Sequence, residues 1–171
     1  ISKLDASGNF VWAKSMGGAG ADLGIALKID ASNNIILTGH FNSTDCDFDP
    51  TASTNSLATN GLYDVFIAKY DNNGNYLNAI NVGGTGDDKS FSIALDGSNN
   101  IYIAGSMNAT VDFDPSASTV NLTSAGSTDG YFAKYSNSLA YVTAGLIGGT
   151  SSDQVSGIEV NSTNEIIVGG Q

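Results

Sequence analysis

Apolar and polar positions alternate with a period of two along four short runs: a (residues 25–30), b (35–39), c (65–70) and d (75–82). That period predicts strands, and no window keeps the i, i+3, i+4, i+7 pattern of an amphipathic helix. Ala31-Ser32-Asn33-Asn34 joins a to b, and Asn72-Asn73-Gly74 joins c to d. Both read as hairpin turns, because their residues tolerate positive φ.

The set of runs recurs. Gly17-Gly18-Ala19-Gly20-Ala21-Asp22, Gly83-Gly84-Thr85-Gly86-Asp87-Asp88 and Gly148-Gly149-Thr150-Ser151-Ser152-Asp153 stand 66 and then 65 residues apart. Aligned on them, Lys3, Lys69 and Lys134 share one column, Asp22, Asp88 and Asp153 another, and Asp64 and Asp129 a third. Asp47-Phe48-Asp49-Pro50 matches Asp112-Phe113-Asp114-Pro115. Within run a the columns Leu27/Ile93/Ile158 and Ile29/Leu95/Val160 are large and apolar, while Ala26/Ser92/Gly157 is small. Such a strand suits the inside of a stack, packed closely on both faces.

Four antiparallel strands at a fixed period predict an all-β fold, a β-propeller of four-stranded blades whose faces are buried by their neighbours. The expected organisation is one partial propeller over residues 1–171, with repeat units of approximately 1–66, 67–131 and an incomplete 132–171. The unit exceeds the roughly 40–45 residues of a WD-type blade, and the excess falls in the b–c connections, 40–64 and 106–129. Phe66-Ile67-Ala68-Lys69-Tyr70-Asp71, the Gly-Gly stretches, Asn100-Ile101-Tyr102-Ile103-Ala104-Gly105 and Asp-Phe-Asp-Pro together resemble the seven-bladed β-propeller repeat family of secreted and surface proteins of Bacteroidota and other bacteria. The resemblance implies a propeller, an extracellular or cell-surface location, and little about ligand, since one fold hosts many functions.

The chain opens on a c-type run and closes after a b-type run, giving about three blade equivalents, whereas propellers close with about four to eight. It is therefore expected to belong to a longer protein that supplies the remaining blades. The other solution is a second copy completing a six-bladed ring, which also hides the bare strand edges.

Composition narrows the function. The net charge is −11, with no Arg and six Lys, which excludes nucleic-acid binding and docking on anionic lipid. No apolar run reaches about 18 residues, so no membrane insertion is expected. A single cysteine, Cys46, rules out an internal disulfide and a Cys-based zinc site.

In an up-and-down blade the d–a and b–c loops share one end. That end holds eleven of the seventeen acidic residues: Asp22, Asp45, Asp47, Asp49, Asp64, Asp87, Asp88, Asp112, Asp114, Asp129 and Asp153. Calcium takes about six to eight oxygens, and the pairs Asp47/Asp49 and Asp112/Asp114 are its candidate ligands, calcium being the one cofactor in view. The competing reading has these carboxylates capping turns. Gly17, Gly18, Gly83, Gly84, Gly148 and Gly149 are expected to serve close backbone passage rather than a phosphate, since no Lys-Ser/Thr and no helix follows. The Lys column, set in strands near the acidic loops, is expected either to pair with a repeat Asp or to stay solvated. Phe48, Phe113, Trp12 and Tyr63 are either core or a sugar-stacking surface.

His40 is the only histidine and no nucleophile elbow is present. The expected function is a non-enzymatic module serving adhesion, spacing or protein binding. The alternatives are a calcium-dependent glycan-binding propeller, and part of an enzyme whose site lies in other blades.

Overall fold

The computed structural model describes residues 1–171 and contains sixteen strands and no helix. None of its elements is therefore a helix long and apolar enough to cross a membrane. A first hairpin, β1 (Ser2–Leu4) and β2 (Phe10–Ala13), supplies strands c and d of one blade. A complete blade follows in the order β3 (Asp22–Ile29), β4 (Ile35–Phe41), β7 (Asp64–Tyr70) and β8 (Tyr76–Gly84), all neighbours antiparallel. The second complete blade is β9 (Lys89–Leu95), β10 (Ile101–Met107), β13 (Asp129–Tyr135) and β14 (Tyr141–Ile147). The last hairpin, β15 (Val155–Val160) and β16 (Ile166–Gly170), is strands a and b of another blade. The expected all-β blades are thus present, and each run falls within a residue or a few of its strand.

Six turns hold the hairpins with one wiring. In Asp5, Asp30, Asp71 and Asp96, Oδ1 accepts the amides two and four residues on, and Oδ2 accepts the Asn side-chain amide four residues on. Asn161 and Glu165 make a variant of it, and Ser136 makes another. The residue three beyond each of these six (Gly8, Asn33, Gly74, Asn99, Leu139 and Asn164) sits at φ between 61° and 84°. Asn and Gly adopt that conformation at little cost. Leu139 does not, and its side chain is buried in the core between blades, so packing offsets the strain there.

The long b–c connections are not plain loops. Each folds a short hairpin: β5 (Cys46–Asp47) with β6 (Ser56–Leu57), and β11 (Thr110–Asp112) with β12 (Asn121–Thr123). β11 adds to the outer end of β8 in the preceding blade, Val111 against Gly84 and Asp112 against Gly83. Asp47 does the same to Gly17, exchanging both backbone hydrogen bonds. The extra length of the unit is therefore a strap laid from each blade onto the one before it.

The core lies between blades. Ile36, Val65, Ile67 and Val82 of the first blade meet Ile93, Ile103, Tyr131 and Ala133 of the second. Among the a strands β9 packs against both β3 and β15, and Lys28 of β3 reaches Glu159 of β15 at 3.5 Å.

Candidate functional site

The acid-rich end forms as expected, and most of its repeat carboxylates serve the joints between blades. Oδ2 of Asp22, Asp88 and Asp153 accepts the amide of the second glycine four residues earlier, Gly18, Gly84 and Gly149, at 2.7, 2.8 and 2.9 Å. Asp64 and Asp129 are buried beneath the same joints. Asp64 Oδ2 accepts from the Asn60 amide and from the Asn60 and Asn81 side chains, and Asp129 Oδ2 from the Ala125 amide. A Cβ on Gly83 or Gly148 would strike the carboxylate of Asp64 or Asp129. The glycines are therefore where the chain must pass a carboxylate closely.

Burial pushes the carboxyl of Asp88 up to about 6, against the amides of Asn108 and Gly84, and the nearby charges of Asp64 and Asp87 act in the same direction as burial. Burial also raises Asp64, in spite of its donors. At Asp96 burial works the same way but loses: Asn100, Ser98 and Tyr102 donate to the carboxylate and hold it at about 2. The signs set a pH profile. Folded Asp88 binds its proton more tightly than the unfolded chain does, so stability increases as pH falls through 6. Folded Asp96 binds its proton less tightly, so stability is lost as pH falls from about 4 towards 2. A stability maximum is expected near pH 4–5, with about 1 kcal/mol gained between pH 7 and 5 from Asp88 alone. Denaturant melts across pH check it, and Asp88→Asn should flatten the upper limb.

The Asp-Phe-Asp-Pro motifs take identical places. Phe48 and Phe113 are buried, which puts them in the core and not on a sugar-binding surface. Their carbonyls accept the hydroxyls of Tyr70 and Tyr135 at 3.0 and 2.9 Å. The flanking carboxylates lie outward and half-exposed. Asp47 Oδ1 accepts the amides of Asp49 and Asn55, and Asp112 Oδ1 those of Asp114 and Val120. Asp49 and Asp114 accept from Thr51 and Ser116. One oxygen of each thus closes its own loop, as the turn-capping reading has it. The second oxygens of Asp47, Asp112 and Asp114 accept no hydrogen bond from the protein. Asp47 and Asp49 open into a polar depression of about 430 Å³ shared with Ser15, Gly17, Gly18 and Thr51. The fit to calcium is partial, since no three acidic, His or Cys side chains are placed to hold one ion together.

Two of the three column lysines pair with a repeat Asp, at the other end of the blade from the acidic loops. Lys69 meets Asp30 at 3.1 Å and Lys134 meets Asp96 at 3.3 Å, both Asp residues sitting in a–b turns. The columns also stitch blades. Lys3 donates to the carbonyl and side chain of Asn72, and Lys69 to those of Asn137, in each case the c–d turn of the next blade. The Asn72/Asn137 column was open to view in the alignment, but nothing local marked it as an acceptor.

A cluster around His40 carried no signal beyond its rarity. His40 packs edge-on to Tyr63 at 5.4 Å and Phe91 at 6.5 Å, with Nδ1 unpartnered, and burial together with the Lys89 charge lowers its pKa against the pull of Asp87. Lys89 pairs with Asp87 at 2.6 Å and lies over the Tyr63 ring. The imidazole is a neutral packing group. Burial, with Asp22, Asp45 and Asp47 nearby, pushes the Cys46 thiol up to about 12, which makes it inert.

No family model matches the chain. It is similar to an uncharacterized WD repeat-containing protein of Acanthamoeba polyphaga mimivirus, at 29% identity over 109 residues. That span is 56% of this chain and 8% of the relative's length. Similarity to a WD-repeat chain and the four-stranded antiparallel blades agree on a β-propeller-type repeat. Neither comparison supports the bacterial surface-protein family that the motifs resemble.

Proposed function

We propose that the chain is a non-enzymatic β-propeller module that binds a protein partner through its acidic end. The observation that carries this reading is the division of labour among the carboxylates. Asp22, Asp64, Asp88, Asp129 and Asp153 are committed to the joints, while Asp45, Asp49 and Asp114 lie at the outer surface of the same end. With a net charge of −11, that end suits a basic protein surface, which it would attract from a distance. A secreted or cell-surface setting, in an adhesion or spacer role, belongs to this reading through the motif resemblance alone.

A calcium-dependent glycan-binding propeller is the second reading, favoured by the free oxygens of Asp47, Asp112 and Asp114 and the depression beside Asp47 and Asp49. Binding to a panel of purified secreted proteins and to a glycan array, each with calcium or with EDTA, separates the two. The protein-binding reading expects capture of a basic protein that EDTA leaves unchanged and that Asp45→Asn, Asp49→Asn and Asp114→Asn together weaken by roughly tenfold. It also expects a melting temperature that EDTA does not move. Glycan capture lost in EDTA, with a fall in melting temperature, would replace it by the second reading.

A further inference from the structure

We propose that the outer flank of the joint between the two complete blades is a seat for one lysine side chain of the basic protein partner, its alkyl stem lying over Ile80, Leu139 and Tyr141 and its ammonium meeting Asp114. This rests on the reading of the acidic end as a docking surface for a basic protein, and adds where, and by which kind of side chain, that partner is held.

A groove of about 410 Å³ opens there, between Ile80 on β8, the tip of the strap at Asp114 and Ser116, and the turn from β13 to β14. Its apolar wall is Ile80, Leu139 and Tyr141. Leu139 is buried, and the other two are half-buried against the core between blades. Its rim is polar: Asp114, Ser116 and Ser138. An apolar wall that ends in one carboxylate suits a hydrocarbon stem with a single positive charge at its tip.

The chain itself carries a filled version of this groove one joint earlier. There Lys14 holds the position of Ile80, while Gly74 and Trp12 hold those of Leu139 and Asn78. Lys14 Cγ and the Trp12 ring each come to 3.0 Å from where a Cβ on Gly74 would stand, so the lysine stem runs through the space beside that turn. Its charge reaches Asp49, the equivalent of Asp114. Thr51 is the main cause that holds the Asp49 carboxyl below its usual range, and Asn55 and Lys14 act in the same direction. Between the two complete blades the Leu139 side chain takes over the room of Trp12, but nothing replaces the ammonium.

Asp114 keeps the place of Asp49 without either of its partners. Asp49 Oδ2 accepts the Asn55 side-chain amide at 3.1 Å. Val120 stands at the Asn55 position, its backbone amide on Asp112 as that of Asn55 is on Asp47, and its side chain has no donor. With Ile80 in place of Lys14, none of the ion pairs of the chain includes Asp114. Its Oδ1 accepts the Ser116 amide at 2.9 Å, and Oδ2 is open. An ammonium seated there is partly shielded from water by the groove, so the pair gains more than one on an open surface does.

Titrating the full chain with the tripeptide acetyl-Gly-Lys-Gly-amide, followed by backbone amide chemical shifts, tests this. The expected result is saturable binding in the millimolar range, with shifts confined to Ile80, residues 114–116 and residues 138–141. Acetylating the lysine of the peptide, or Asp114→Asn in the protein, should weaken binding by roughly tenfold or more. Val120→Asn should weaken it less, by returning the amide partner. Ile80→Lys should abolish it, by supplying the lysine from within. Asn and Lys stand at these two positions one joint earlier, so both variants should stay folded, which their melting temperatures check. An arginine tripeptide that binds more tightly overturns the assignment to lysine. Binding indifferent to all three substitutions overturns the seat. So do shifts that spread over the acidic end and vanish with added salt, though these leave the broader docking role of that end standing. No shift at all overturns the seat as well, and capture of a basic protein would then have to use other contacts.

Discussion

Replacing Gly105 by alanine should cost about 3–5 kcal/mol, a large part of the stability of a chain this size. The reason is space, not backbone torsion, because Gly105 has no positive φ. It stands in β10 where the pairing with β9 shifts register between Ala104 and Gly105. At that irregularity the backbone of β9 folds over the glycine. A Cβ there would overlap the Lys89 carbonyl oxygen and lie 2.9 Å from Ser90 Cα. Relief would require moving one of two backbones, and β10 is held on its other side by β13. Gly39 and Gly170 occupy the same column, each under the carbonyl of the strand-a residue opposite, Leu23 or Gln154. Gly39→Ala should therefore match Gly105→Ala. Gly170→Ala should cost less in this chain, where β16 pairs with β15 alone and can yield. Gly97→Ala is the control: nothing lies within 4 Å of its Cβ position, and the expected change is within about 0.5 kcal/mol. Urea unfolding of the four variants ranks them.

The part of the fold that was legible in the sequence is the part written in local pattern. Period-two alternation placed the four runs, and residues tolerant of positive φ placed the turns at Asn33 and Gly74. The repeated Gly-Gly…Asp stretches located the joints, since a carboxylate reaching back four residues to an amide is a local event. The straps were not legible. β5 and β6 have two residues each, in segments rich in Ser, Thr and Asn, too short for a period to register, and their partner is a different blade. The lysine column was half legible: a repeat Asp was one of the two expectations for it, beside a solvated charge, but chain order does not reveal toward which end of the blade a long side chain swings. The contrast between Leu27, at 49% exposure, and Ile93, at 3%, was invisible for a simpler reason. Identical columns bury identically only when each has a neighbouring blade. At the acidic end the carboxylates could be counted but not sorted, because whether Asp64 lies beneath a joint or Asp49 lies outside it depends on how the strap lands.

Asp96→Ala should cost about 3–4 kcal/mol, more than the loss of a turn cap alone. Asp96 is buried, and its two oxygens serve five donors. Oδ1 accepts the amides of Ser98 and Asn100, both at 2.9 Å. Oδ2 accepts from the Asn100 side chain at 2.8 Å and the Tyr102 hydroxyl at 3.1 Å, and lies 3.3 Å from Lys134 Nζ. Lys134 also rests 4.7 Å from the centre of the Tyr102 ring, so removing the carboxylate leaves a mostly covered ammonium and a buried hydroxyl without their acceptor. The cost is chiefly that of those stranded groups, which outweighs the modest net value of the bonds themselves. Asp71→Ala isolates the difference. Asp71 has the same turn wiring, through Asn73 and Asn75, at an exposed site, and no ion pair, so its loss should be clearly smaller. Acid titration separates the two contributions further. The donors hold Asp96 at about 2 in spite of burial, so its stabilisation is present above pH 4 and lost on the way to pH 2. The Asp96→Ala chain should therefore show a shallower acid limb than the parent as well as a lower stability at pH 7. Equal slopes in the two chains would show that the carboxylate gains nothing from Lys134 and Tyr102 that water does not supply in the unfolded state.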